Sequence, residues 1–452
     1  MVEIIALGGY EEVGRNCTAV KYKDEIVIFD MGFHMERVVS MGEEGHVQIR
    51  DMSRKELYEM DAIPNDKPIL PQKNKVVAIV ANHGHLDHIG AMPSLAPQYN
   101  APIVSTPFTI ELIDDMFRDY KVKNKNKLIT MRGGEEIELS DNLTLEFIHT
   151  THSIPDTVFS VLHTPEGAIM YCNDFKLDNH PTVGQKPDYK RIREIGEEGI
   201  KAAIIESVRI EREQKTPSEA VARALLEDVI LGRDHENALF VTTFASHIHR
   251  VMSILELAKK MNRQPVLLGR SMSKYSSIAE RLGIMKYPKG LEVFGRGRGI
   301  DAKLKQCSNN MEDYLFICTG HQGEPNSVLD RLASKKFSYK VRPGDEIVFS
   351  SSVIPSPINE DNHYRLSTKM KTQGARLFHD VHVSGHASKE DHRDLLMMFK
   401  AENIVPAHGD LKKLATYAEL TSELNTMKDE LGVEYKLGQN VHLLHNGQSH
   451  EI

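Results

Sequence analysis

Six consecutive residues carry the densest chemistry in the chain: His83, Gly84, His85, Leu86, Asp87 and His88. Imidazole nitrogens and carboxylate oxygens are ligands for Zn2+ and similar divalent ions. Two histidines at i and i+2 in a loop leaving a strand can point the same way and grip one ion. Asp87 and His88 turn onto the next helix and can grip a second. Gly84 is expected to let the backbone bend tightly between them. A single ion needs one more partner from elsewhere, and a pair needs a bridge. Three residues answer, each at the end of an apolar stretch: His152 in FIHTTHSIPDT, Asp174 in YCNDFKLD and His408 in VPAHGD. The plainer alternative is a polar loop with exposed histidines. Three matching strand-end partners favour the metal-ligand reading.

The elements that would position these groups are legible as short apolar runs bounded by turn residues. In the first half they are 26–29, 76–81, 144–148, 168–172 and 202–205, all read as buried strands. The glycine-rich start predicts a β-hairpin layer. Residues 34–74 read as a long polar excursion with one helix at 52–60. After Glu206 the pattern changes. Helical periodicity over 217–231, with Thr216 as N-cap and Pro217 at the first helical position, opens a strand–helix alternation. Strand 239–243, helix 248–260, strand 266–268, helix 272–282, and strands 314–318 and 346–350 follow, as in a parallel α/β domain. From about 376 the first style returns, with 380–383 and 403–405 each running into a His-bearing loop. A helix at about 410–430 and a short strand pair close the chain. The simplest organisation is one domain built from residues 1–207 and 371–452, with a second α/β domain inserted at 208–370.

Composition narrows the class. The chain has 452 residues, 40% of them apolar and 27% charged, which excludes a disordered or fibrous protein. Its net charge of −8 excludes a chain coated in basic residues but not a local basic groove. Four scattered cysteines exclude a disulfide framework and fit a reducing, cytoplasmic setting. The first residues lack the pattern of a signal peptide, and no apolar run approaches the roughly 18–20 residues of a membrane span. The chain is expected to end without a further C-terminal domain.

HGHLDH with His152, Asp174 and His408 resembles the metallo-β-lactamase fold family, and the interrupted layout resembles its β-CASP branch, which acts on nucleic acids. Further stretches resemble the ribonuclease J group, in a short archaeal-type form: GGYEEVGRN, HSIPDT, NDFKLD, TFASHIHR, GRSM, TGHQGEPN, HVSGHAS and PAHGD. The resemblance implies an α/β fold, a metallo-β-lactamase αββα sandwich with an inserted β-CASP parallel α/β domain. It also implies two divalent metal ions per subunit. His83, His85 and His152 would hold one, Asp87, His88 and His408 the other, and Asp174 would bridge. Zn2+ suits the His-rich set, with Mn2+ or Mg2+ as alternatives. His149 is a rival for the place of His152.

The activity so implied is 5′-to-3′ exoribonuclease action on single-stranded RNA from a 5′-monophosphate end, with or without endonuclease activity. Two ions roughly 3.5–4 Å apart supply a nucleophile and stabilise phosphoryl charge, and Asp87 can orient the nucleophile. Family precedent makes His386 the general acid, oriented by Glu206. Glu206 lies in IESVRIE, which departs from the group's usual pattern, so a plain salt-bridge role stays open. Ser246 and His247, at the start of helix 248–260, with His382, Val383, Ser384, Gly385 and His386, resemble a pocket for the terminal phosphate. An ordinary N-cap is the alternative for Ser246. Arg250, Arg270, Lys274, Arg296 and Arg298 are candidates to line an RNA channel, and His321 is either an RNA contact or a structural residue. A homodimer is expected. Three other readings remain: a β-CASP endonuclease of the cleavage-and-polyadenylation type, a small-molecule hydrolase, and a non-catalytic RNA-binding scaffold.

Overall fold

The computed structural model describes residues 1–44, 49–232, 235–427 and 431–452. Two sheets face each other. The first orders its strands Ser449–Glu451, Val2–Gly8, Cys17–Tyr22, Glu25–Phe29, Val76–Ala81, Ile103–Ser105 and Leu128–Thr130. The second orders Asn403–Ala407, Ile200–Glu206, Gly167–Cys172, Val158–Thr164, Thr144–His149 and Glu136–Glu138. Alternation along these strands sends Ile4, Val27, Phe29 and Val80 of one sheet against Phe147, Leu162, Tyr171 and Ile204 of the other. Phe29 and Tyr171 stack across this layer with centroids 4.9 Å apart. Burying each such ring contributes roughly 1.5–3 kcal/mol. Helix Pro107–Asp119 covers the outer face of the first sheet, while Tyr189–Glu198, Lys389–Phe399 and Leu411–Leu424 cover the second. The result is an αββα sandwich.

The third sheet is wholly parallel, in the order Glu292–Phe294, Gln264–Leu268, Tyr314–Cys318, Leu239–Thr242, Glu346–Phe349 and Arg376–Phe378. Helices flank both its faces. Parallel strands buried on both sides read as the continuous apolar runs seen in the sequence.

Several local expectations need correction. Helix Glu219–Leu231 is capped by Ser218, whose side chain accepts from the Ala220 amide. Thr216 is committed elsewhere: its hydroxyl donates to the His386 carbonyl (2.9 Å) and its amide to Asp391 (2.7 Å). Residues 380–383 form no strand. Asp380 adopts a φ of 61°, which ends the extended run, and the strand lies just before it at Arg376–Phe378. That strand pairs with Glu346–Phe349, so the inserted sheet continues past residue 370. The 34–74 excursion holds two α-helices, Met35–Glu44 and Arg54–Glu59, the second fixed by a reciprocal Ser53–Glu56 capping box. The last long helix is Leu411–Leu424, followed by a 3-10 turn to Met427. The expected end near 430 falls on 428–430, outside the described residues.

Candidate metal centre

Each candidate ligand is delivered by the end of a strand. Val76–Ala81 feeds His83 and His85 and then the short helix Leu86–Ile89, which holds Asp87 and His88. Thr144–His149, Gly167–Cys172 and Asn403–Ala407 lead to His152, Asp174 and His408. Because the last of these strands pairs with Ile200–Glu206, residues more than two hundred positions apart arrive at one sheet edge. Asp174 and His408 both sit at positive φ, 50° and 55°, a conformation costly for non-glycine residues and common at functional sites.

All seven side chains converge. His83, His85, His152 and Asp174 offer ligand atoms within 4.8 Å of one another, and so do Asp87, His88, Asp174 and His408. Asp174 is common to both groups. Its Oδ2 lies 3.3, 3.2 and 3.4 Å from Nε2 of His83, His88 and His152, and its Oδ1 lies 3.0 Å from Nε2 of His408. His149 stands apart, with Nε2 against the Gln185 carbonyl.

The polar inventory fits divalent ions. Both ring nitrogens of His83, His408 Nε2 and Asp174 Oδ1 are buried with no hydrogen-bond partner among the described residues. Nδ1 of His88 donates to Asp30 (2.8 Å) and Nδ1 of His152 to the Gly385 carbonyl (2.7 Å), which turns Nε2 of each ring toward Asp174. Burial keeps His83, His85 and His152 neutral, lowering His85 to about 3. Burial also disfavours charge on His88 and His408. There the neighbouring Asp174 and Asp87 win, raising His88 and pushing His408 up to about 9.

Asp30 is a residue that sequence reasoning missed. It follows strand Glu25–Phe29 as the other ligands follow theirs, and that was the available signal. Its carboxylate orients His88, accepts from Tyr171 Oη (2.9 Å) and caps the Asn82 amide (3.3 Å). Through Tyr171, the packed layer between the sheets holds the ligand shell in place.

His386 lies beside the centre, with Nδ1 3.2 Å from Glu206 Oε2 and 3.9 Å from Asp174 Oδ1. Glu206 is fully buried and also accepts from the Phe175 and Val208 amides. Desolvation opposes both charges, yet each partner prevails on the other: His386 is raised and Glu206 lowered. The pair is an imidazolium held by a carboxylate.

A cleft opens between the loops at 151–153 and 384–385, and His247, His249, Lys176 and Asp178 reach it from below. Gly385 is required there, since a Cβ would sit 2.7 Å from the Ser153 Cβ. Gly385→Ala is therefore expected to push the two loops apart and, by moving His386 and the His152 partner, lower kcat about a hundredfold. Steady-state kinetics, beside an unchanged circular dichroism spectrum, checks this. Gly84 has a similar reason: its φ is not positive, but a Cβ would meet Leu112 at 2.5 Å.

The remaining candidates divide. Ser246 does not cap the helix; its Oγ lies 3.1 Å from His85 Nε2, and His247 is the N-cap, accepting from the Arg250 amide. Ser384 Oγ accepts from the His386 amide, and Val383 is buried. Arg250 cannot line a channel: it is fully buried, bidentate on Glu219 (2.5 and 2.8 Å) and bonded to Ser350 and His382. Lys274 is clamped by Asp115 and Asp119. His321 is buried against Phe244. Arg270, Arg296 and Arg298 are exposed. Lys176, 3% exposed and 3.5 Å from Asp178, is a cleft cation that the sequence reading passed over inside NDFKLD.

Comparison with known proteins agrees with this layout. Residues 59–187 match a beta-lactamase superfamily domain, 236–365 the beta-CASP domain of ribonuclease J, and 375–434 a Zn-dependent metallo-hydrolase RNA specificity domain. The chain is 47% identical to ribonuclease J of Methanocaldococcus jannaschii, with 99% of this chain and 98% of that protein aligned. It is 46% identical to that of Pyrococcus abyssi, covering 100% and 97%. Against ribonuclease J of Thermus thermophilus the identity is 33%, covering 96% of this chain and 74% of that protein. A solved structure of a protein of unknown function from Enterococcus faecalis shares the fold, with a TM-score of 0.65, 16% identity and 99% of each chain covered.

Proposed function

Since the chain belongs to the ribonuclease J family, we propose that it is a metal-dependent 5′-to-3′ exoribonuclease. Its substrate would be single-stranded RNA with a 5′-monophosphate end, and its product nucleoside 5′-monophosphates. The observation that carries this reading is the wall shared by the cleft and the ligand cluster. His152 belongs to both, and its Nδ1 is bonded to Gly385 of the loop that presents His386. A terminal phosphate bound at the mouth of this cleft, against the Ser384–Gly385 loop, would lie beside the ligand cluster and present the first bond for cleavage.

In this reading His83, His85 and His152 would hold one divalent ion and Asp87, His88 and His408 the other, with Asp174 available to both. Two such ions, Zn2+ by ligand type, would generate a nucleophile from water near neutral pH and neutralise phosphoryl charge. Asp87 orients the attacking group. His386 gives its proton to the departing 3′-oxygen. With Nδ1 bound to Glu206, Nε2 is the nitrogen left to donate. Scattered, unpaired cysteines support a cytoplasmic setting, and the family resemblance a homodimer.

Glu206 carries a pH prediction. Its negative charge favours protonated His386 and raises that group, so acid catalysis persists up to the raised pKa and fades above it. Glu206→Gln removes the charge, and the alkaline limb of kcat should move to lower pH by about one unit. A salt-bridge role without coupling to His386 would leave the limb in place.

RNAs labelled at the 5′ end and bearing monophosphate, triphosphate or hydroxyl groups test the main reading. Mononucleotide release that is fastest from the monophosphate supports it. A ladder of internal cuts indifferent to the 5′ group would instead identify an endonuclease of the cleavage-and-polyadenylation type.

A further inference from the structure

A second recess lies at the carboxyl edge of the third sheet, away from the ligand cluster. Open parallel sheets bind ligands at this edge. Its floor is the exposed ring of His379, just after strand Arg376–Phe378, backed by buried Phe349 at the end of strand Glu346–Phe349 in a parallel stack with centroids 4.7 Å apart and planes 15° apart. His363 of helix Pro357–Thr372 stands edge-on to both, at 5.1 and 5.4 Å. Tyr364, also a lining residue, is 70% exposed. The recess measures about 300 Å3, the small end of ligand-sized pockets.

Its polar groups have a definite sense. Nδ1 of His363 donates to the His321 carbonyl at 2.7 Å, which leaves Nε2 as the ring nitrogen on the recess side. Only a long 3.4 Å contact from Ser367 Oγ meets it. Glu360 adds a carboxylate acceptor and Lys371 an exposed cation. No hydrogen bond is made by the exposed His379 ring among the described residues. Polar atoms so placed await a partner that the protein does not supply.

We infer that this recess binds an unpaired nucleobase of RNA, one bearing an exocyclic amino group, stacked on the aromatic floor with its phosphate near Lys371. Stacking suits a flat ring, and the acceptors suit an amino donor, so adenine or cytosine is preferred to uracil. The same sheet edge carries Ser246 and His247, and His379 lies seven residues before His386. That stretch of chain spans at most about 25 Å, so one RNA can reach both places. The inference rests on the ribonuclease reading for its source of bases.

Equilibrium binding of 3′-labelled oligoadenylate, oligocytidylate and oligouridylate of about twelve nucleotides, in EDTA to prevent cleavage, tests it. The wild-type chain should bind the first two several-fold more tightly than the third. Tyr364→Ala and His379→Ala should each weaken binding of those two about tenfold. The circular dichroism spectrum and the bound-metal content before EDTA should stay unchanged and serve as the folding check. Equal affinity for all three oligomers, or variants that bind oligoadenylate and oligocytidylate like the wild type, would overturn the inference alone. A wild-type chain that binds no RNA would sink it together with the ribonuclease reading.

Discussion

Replacing Asp174 with alanine is expected to stop RNA hydrolysis, lowering kcat at least a thousandfold, and to strip bound metal from the purified chain. The reason is geometric. One carboxylate lies within 3.0–3.4 Å of ring nitrogens from four histidines and belongs to both ligand groups. Its loss opens both sites at once. Each factor of ten in rate corresponds to about 1.4 kcal/mol, so losing several kcal/mol of transition-state stabilisation gives the stated range. Elemental analysis after dialysis, beside the wild-type chain, measures metal content directly. A variant that kept its full metal complement and turned over at a near-wild-type rate would refute the assignment. RNA binding should survive, because the cleft residues His247, Ser384 and Lys176 are untouched.

The second large effect is at His386. Its removal should lower kcat by about 10^2–10^4 while metal content stays the same, since its Nδ1 lies 3.9 Å from Asp174 Oδ1 and is partnered instead by Glu206 at 3.2 Å. A chemical rescue separates acid catalysis from simple disruption. If the bridging 3′-oxygen is replaced by sulfur, the leaving group departs without a proton. His386→Ala should then recover most of its rate on that substrate. A deficit equally deep on both substrates would mean that His386 only shapes the cleft.

Much of this centre was readable beforehand because its logic is local. An apolar run followed at once by His or Asp marks a strand that hands a ligand to a sheet edge, and that pattern led to His83, His85, Asp87, His88, His152, Asp174 and His408. Other features depend on contacts that no local pattern records. Asp30 obeys the strand-end rule, but its value comes from Tyr171, far along the chain. Arg250 looks like a surface cation until Glu219 and Ser350 enclose it. Thr216 reads as the N-cap in the sequence. Bonds from Thr216 to His386 and Asp391 leave the cap to Ser218. The run at 380–383 has the alternation of a strand but not the backbone, because Asp380 turns into the left-handed region.

The strand Asn403–Ala407 carries one further consequence. Six of the seven ligands precede residue 175, whereas His408 comes 234 residues later and is placed only when its strand docks beside Ile200–Glu206. At translation rates of about 5–20 residues per second, a ribosome would need roughly 10–50 s to make that stretch. Throughout that interval the nascent polypeptide holds an incomplete centre.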